Sequence, residues 1–159
     1  MKKILPVFLA LGLLAALSGC GDSGAEAAEQ VYSFSGENEE IRVVNGVAVL
    51  GGGQETLYGG TLELKTGAAE QIATCDMKFY VQDGPETWTL LNMVTEDRTG
   101  GRTVEKESIG QITGPILRSD LDTALFEEAL FFELTLTHED GTAETHVLPM
   151  EVTEVTGKK

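Results

Sequence analysis

The residue types best suited to chemistry gather near the C-terminal end of the chain. The only two histidines, His138 and His146, flank the turn signal Asp140-Gly141, with Glu144 between them. Two imidazoles and a carboxylate form a legitimate ligand set for zinc, and the same groups serve in general acid–base catalysis. Whether they meet depends on how the flanking strands pair. Leu130, Phe132, Leu134 and Leu136 alternate with Phe131, Glu133, Thr135 and Thr137; beyond the turn, His146, Leu148, Met150 and Val152 alternate with Thr145, Val147, Pro149 and Glu151. A three-residue loop, Asp140-Gly141-Thr142, pairs Leu134 with Leu148, Phe132 with Met150 and Leu130 with Val152, whereas a two-residue loop splits the apolar set. A slip of one residue turns every side chain to the other face, so the apolar pattern selects the longer loop. His138 then lies opposite Glu144, and His146 opposite Leu136. A cross-strand His138–Glu144 pair beside a packed His146 is the expected arrangement. H-x7-H across a hairpin has no diagnostic value as a metal spacing, so neither metal nor cofactor is expected, and His138, Glu144 and His146 stand only as first suspects for a metal-dependent or hydrolytic site.

Other chemistries find less support. Carboxylates are plentiful, at Glu37, Glu39 and Glu40, at Asp120 and Asp122, at Glu127 and Glu128, and at Glu139 and Asp140, but none of these runs has the twelve-residue spacing of an EF-hand. Serines 33, 35, 108 and 119 lack a G-x-S-x-G elbow. Gly51-Gly52-Gly53 leads through Gln54-Glu55-Thr56 into another strand, with an acid where a phosphate loop needs a cation, and reads as a β-turn. Trp88 lies between Thr87 and Thr89 in a strand and is expected to pack in the core, while Tyr58 and Tyr80 are the other candidates for a recognition patch. No catalytic residue is expected.

The remaining reactive residue is at the other end. Met1-Lys2-Lys3, an apolar run from Ile4 to Leu17, and then Ser18-Gly19 before Cys20 are the three parts of a secretion signal. The run is shorter than the roughly 20 residues a membrane-spanning helix needs, and it contains Pro6. Leu17-Ser18-Gly19-Cys20 resembles the lipobox of bacterial lipoproteins. That resemblance implies cleavage before Cys20 and a diacylglyceryl group on its sulfur, and two acyl chains are what stable anchoring requires. Residues 1–19 are therefore expected to be a signal peptide, with the protein held to the cell membrane on the outside. Loss of Lys2 and Lys3 leaves nine basic against 26 acidic residues, a charge of −17. Such a field repels polyanions, so no nucleic acid is expected as a partner; the partners left open are the membrane through Cys20 and a protein or small ligand. With Cys20 lipidated, Cys75 has no intramolecular partner and is expected to be a buried, inert thiol.

Residues 20–29 are small and acidic, without a large apolar side chain after Cys20, and read as a flexible tether. Residues 30–156 read as one domain. Short alternating runs separated by glycine-rich turns predict about seven or eight strands: 31–35, 41–50 (interrupted by a turn or bulge at Asn45-Gly46), 56–65, 73–82, 87–95, 102–108 and the final hairpin. Tyr58-Gly59-Gly60 suggests a bulge or close packing against another backbone. One short helix is expected near 120–129, capped by Ser119, with Leu121, Leu125 and Ala129 on its apolar face. The fold class this predicts is all-β, an antiparallel two-sheet sandwich, broadly immunoglobulin-like.

Phe34-Ser35-Gly36-Glu37-Asn38-Glu39, Val44-Asn45-Gly46 and Leu57-Tyr58-Gly59-Gly60 resemble the N-terminal half of small Gram-positive lipoproteins over residues 32 to 65. Arg42 departs from that pattern, standing where such proteins often carry tryptophan. The resemblance implies location and a β-sandwich-like domain and supplies no activity. The functional expectation is thus a membrane-anchored extracytoplasmic lipoprotein carrying a non-enzymatic binding or interaction module.

Overall fold

The computed structural model describes residues 29–51, 54–97, 100–117 and 123–156. Residues 1–28, with the expected signal, Cys20 and nearly all of the tether, lie outside the described residues; so do Ser119, Asp120, Leu121 and Asp122 of the expected helix start.

Twelve strands form among the described residues: β1 (Gln30–Glu37), β2 (Ile41–Leu50), β3 (Glu55–Tyr58), β4 (Thr61–Leu64), β5 (Ala69–Asp83), β6 (Glu86–Glu96), β7 (Arg102–Val104), β8 (Lys106–Ser108), β9 (Gln111–Gly114), β10 (Leu130–His138), β11 (Ala143–Pro149) and β12 (Glu151–Glu154). One helix, α1 (Thr123–Ala129), precedes β10. One antiparallel sheet runs β12-β1-β2-β3-β9, with β4 and β8 branching beside β2; the other runs β11-β10-β5-β6, with β7 also on β5. The chain is an all-β sandwich of two antiparallel sheets.

The strand count exceeds expectation because three apolar runs each become two strands. The run 56–65 divides at Gly59-Gly60: Gly60 is left-handed at φ +79°, and a Cβ there would overlap the Val44 carbonyl oxygen. That carbonyl belongs to a bulge in β2, where Val44 and Asn45 stand against Ser35 alone, and Asn45 has φ 60°. The run 102–108 changes sheets, β7 pairing with β5 and β8 with β4, while the Glu105 carbonyl between them accepts the Leu64 N–H at 2.9 Å. The last run changes sheets after Pro149, which has no N–H to continue the ladder; Met150 N–H donates to Leu130 at 2.9 Å, and Val152 then pairs with Phe34. β9 adds a short strand outside the expected runs.

The final hairpin has a different register from the expected one. Phe132 pairs with Leu148, Leu134 with His146 and Leu136 with Glu144, so the loop is Glu139-Asp140-Gly141 and the pairing shifts by two residues. A shift of two leaves each side chain on its own face, so the apolar pattern cannot detect it. Turn chemistry decides instead. Gly141 occupies the left-handed last loop position at φ +84°, and the Asp140 carboxylate accepts the Thr142 N–H at 2.8 Å and its hydroxyl at 2.6 Å.

An aromatic cluster joins the sheets. Phe34 from β1 meets Phe79 from β5 at 5.2 Å between ring centroids, and Phe79 meets Phe132 from β10 at 5.0 Å. α1 closes one end of this cluster with Phe126, whose ring lies 5.5 Å from Tyr32 and 6.3 Å from Phe34. The expected apolar face is thereby corrected: Phe126 is fully buried, and Leu125 and Ala129 are only partly so.

Candidate functional site

At the end of the sandwich opposite α1, three connections converge: the β1–β2 turn, the β4–β5 loop and the β10–β11 hairpin. The β1–β2 turn is built by Asn38, whose side-chain carbonyl accepts the N–H groups of Glu40 (2.9 Å) and Ile41 (2.8 Å). Lys65 pins it from the next loop, its N–H donating to the Glu40 carbonyl and its Nζ to the Asn38 carbonyl, both at 2.7 Å. These bonds direct the Glu40 side chain toward β11.

There the two histidines and Glu144 come together. His146 Nδ1–H donates to Glu40 Oε2 at 2.7 Å, joining the two sheets. On the other side, His146 Nε2 lies 4.0 Å from Glu144 Oε2, and His138 Nε2 lies 3.9 Å from Glu144 Oε1. The cleft they rim has a volume of about 330 Å³, with Ile41, Leu64 and Leu136 on its floor and Thr66–Ala69 along one side. His138 and Glu144 do meet, as expected, although diagonally and not face to face. His146 is not a bystander packed among apolar neighbours; it is the bridging group. Glu40 was missed as its partner, because nothing local relates two residues 106 positions apart.

The cluster is a hydrogen-bonded clamp and not a preformed metal cage. Ligand atoms about 2.0–2.2 Å from a tetrahedral zinc stand roughly 3.3–3.6 Å from each other. The two Glu144 separations exceed that, and the other nitrogen of His146 is already engaged by Glu40. Among the described residues, no group of three or more His, Cys, Asp or Glu side chains could hold a metal ion.

The other candidates are accounted for individually. Glu37 faces Lys65 at 3.7 Å while Glu40 faces His146, so that acidic run does not converge on one point. Glu55 accepts the N–H groups of Ile116 and Leu117, each at 2.7 Å, and so organises a backbone segment where a phosphate loop would need a cation. Cys75 is fully buried; burial raises its thiol above the ordinary value, outweighing the opposing influence of nearby Arg102. Trp88 is half-buried against the core, Tyr58 is exposed, and Tyr80 is covered by Phe131, whose ring stacks on it at 5.6 Å. A larger hollow of about 480 Å³ lies beside the β2 bulge, lined by Ser35, Glu37, Arg42 and Glu151, but its one cation, Arg42, is already paired with Glu63.

No helix among the described residues is long and apolar enough to cross a membrane. Comparisons with protein-family models, with curated proteins and with solved structures find no match.

Proposed function

We propose that this chain is an extracytoplasmic lipoprotein, anchored through lipid on Cys20, whose sandwich is a non-enzymatic binding module presenting the Glu40–His146–Glu144–His138 cleft away from the membrane. One observation carries the reading. The tether enters at Gln30, the first residue of β1, and the cleft lies past the other end of that strand. Eight residues at about 3.3 Å each separate the two by roughly 25 Å. The point where the proposed tether joins the domain and the cleft are thus at opposite ends of β1. An apolar floor under a rim of two carboxylates and two imidazoles suits a side chain or small ligand with an apolar body and a cationic or hydrogen-bonding head.

The test has two arms on intact cells. Mass spectrometry of the mature N-terminus is expected to find lipidated Cys20, absent from Cys20→Ser; an unmodified Cys20, or a chain beginning elsewhere, overturns the anchor. A photo-crosslinking side chain placed at Thr66, on the cleft, is expected to capture a partner that one at Glu154, near the tether, does not. Equal capture from both positions overturns the distal site.

A further inference from the structure

We propose that the open edge of β6 is a strand-addition site that takes an extended, uncharged segment of a partner protein with basic residues at its ends. Edge strands expose a row of unpaired N–H and C=O groups, and proteins ordinarily blunt them with short length, charge, proline or cover. Most free edges of this sandwich follow that rule. β7 and β8 have three residues each and β9 and β12 four each, while β11 carries Glu144 and ends in Pro149.

Among the described residues, β6 does none of this between its terminal glutamates. It has 11 residues, and among the described residues it pairs with β5 alone. From Thr87 to Thr95 it contains no charged residue and no proline. Its single irregularity is a bulge, where Phe79 pairs with Leu91 and Tyr80 with Thr89. Val94, on the outer face, is 49% exposed, while Trp88 and Met93, on the inner row, are only partly covered. An added strand would complete the ladder and lay alternate side chains over that inner row.

Charge selects the occupant. Glu86 stands at one end of the edge, and the chain as a whole carries a net charge of −15. A second copy docking antiparallel would bring two strongly anionic domains together. A segment with basic ends around an uncharged middle meets both conditions at once.

The probe is a synthetic nine-residue peptide alternating valine and threonine, with lysine at each end. Added to the folded domain, it is expected to bind and to slow hydrogen exchange at every second amide of β6, those whose N–H groups face away from β5. A counterpart N-methylated on alternate residues, which cannot complete the ladder, is expected not to bind, and glutamate-ended peptide is expected to bind more weakly. Thr89→Lys/Val94→Lys, at two exposed positions, is expected to reduce affinity for the lysine-ended peptide while circular dichroism confirms an unchanged fold. Absence of binding, equal binding of the N-methylated peptide, or protection appearing on β11 or β12 in place of β6 overturns the proposal.

Discussion

Replacing Phe126 by alanine removes the one side chain that α1 buries completely. A seven-residue helix cannot hold itself in water, so its position depends on what it packs against. The Phe126 ring makes edge-on contacts with Tyr32 and Phe34, at the point where β1 enters the core. Truncating a fully buried phenylalanine costs about 3–5 kcal/mol, combining lost transfer energy with the cavity left behind. Two aromatic partners that stay in place favour the upper part of that range. For a domain of this size, such a loss lowers Tm by roughly 10–20 °C. The assay is thermal and urea unfolding followed by circular dichroism, with Leu125→Ala, at a half-buried neighbour, as the comparison. Leu125→Ala is expected to cost about 1–2 kcal/mol, since only part of its surface leaves water. If Leu125→Ala costs as much as Phe126→Ala, or if Phe126→Ala costs under about 1 kcal/mol, the anchoring role assigned to Phe126 is wrong.

Gly141→Ala should lose about 1–2 kcal/mol in urea unfolding, because the left-handed φ disfavours a Cβ although nothing stands within 4 Å of it; an unchanged midpoint would contradict the loop assignment. Lys106 first, then Arg42, hold the Glu63 carboxyl below the usual carboxylate range. The unfolded chain therefore takes up this proton first, so Glu63 stabilises the fold fully above about pH 4.5, and the contribution disappears as pH falls through the lower folded value. Glu63→Gln should flatten that part of the urea-midpoint profile as pH falls below about 5, and an identical profile would refute the linkage. The Cys75 thiol should resist thiol reagents in the native protein and react at the rate of opening, so immediate labelling without denaturant would show that it is not enclosed. A double-mutant cycle with Glu40→Gln and His146→Ala should give a coupling of about 0.5–1 kcal/mol, reduced by the exposure of Glu40; no coupling would dissolve the clamp.

The legible parts of this fold were those that local chemistry decides. Asn45-Gly46 carried the β2 bulge and Gly59-Gly60 the break beside it. Sheet changes at Glu105 and Met150 were not legible, because a strand crossing between layers keeps its extended backbone and its alternation on both sides of the crossing. The hairpin shows a finer limit. Its faces follow from Leu134 and Leu148, yet its pairing depended on where Gly141 could take a left-handed conformation. At the cleft, His138 and Glu144 were close enough in sequence to be associated. Glu40 was not, since only the packing of one sheet on the other brings it to His146.

The placement of β1 has a mechanical consequence. It is an interior strand, hydrogen-bonded along its length to β2 on one side and, over Tyr32 to Ser35, to β12 on the other. Tension arriving through the segment before Gln30, against a load held at the far pole, pulls along the axis of this strand. Both ladders are then loaded in shear and must fail together, whereas a strand at a sheet border would unzip one bond at a time. Val31 adds to the grip at the point of entry: its N–H donates to the Thr156 hydroxyl at 2.8 Å, and its carbonyl accepts the Val155 N–H at 2.7 Å. The two termini of the domain are thus tied to each other where the force enters, and a pull on one is shared by the other.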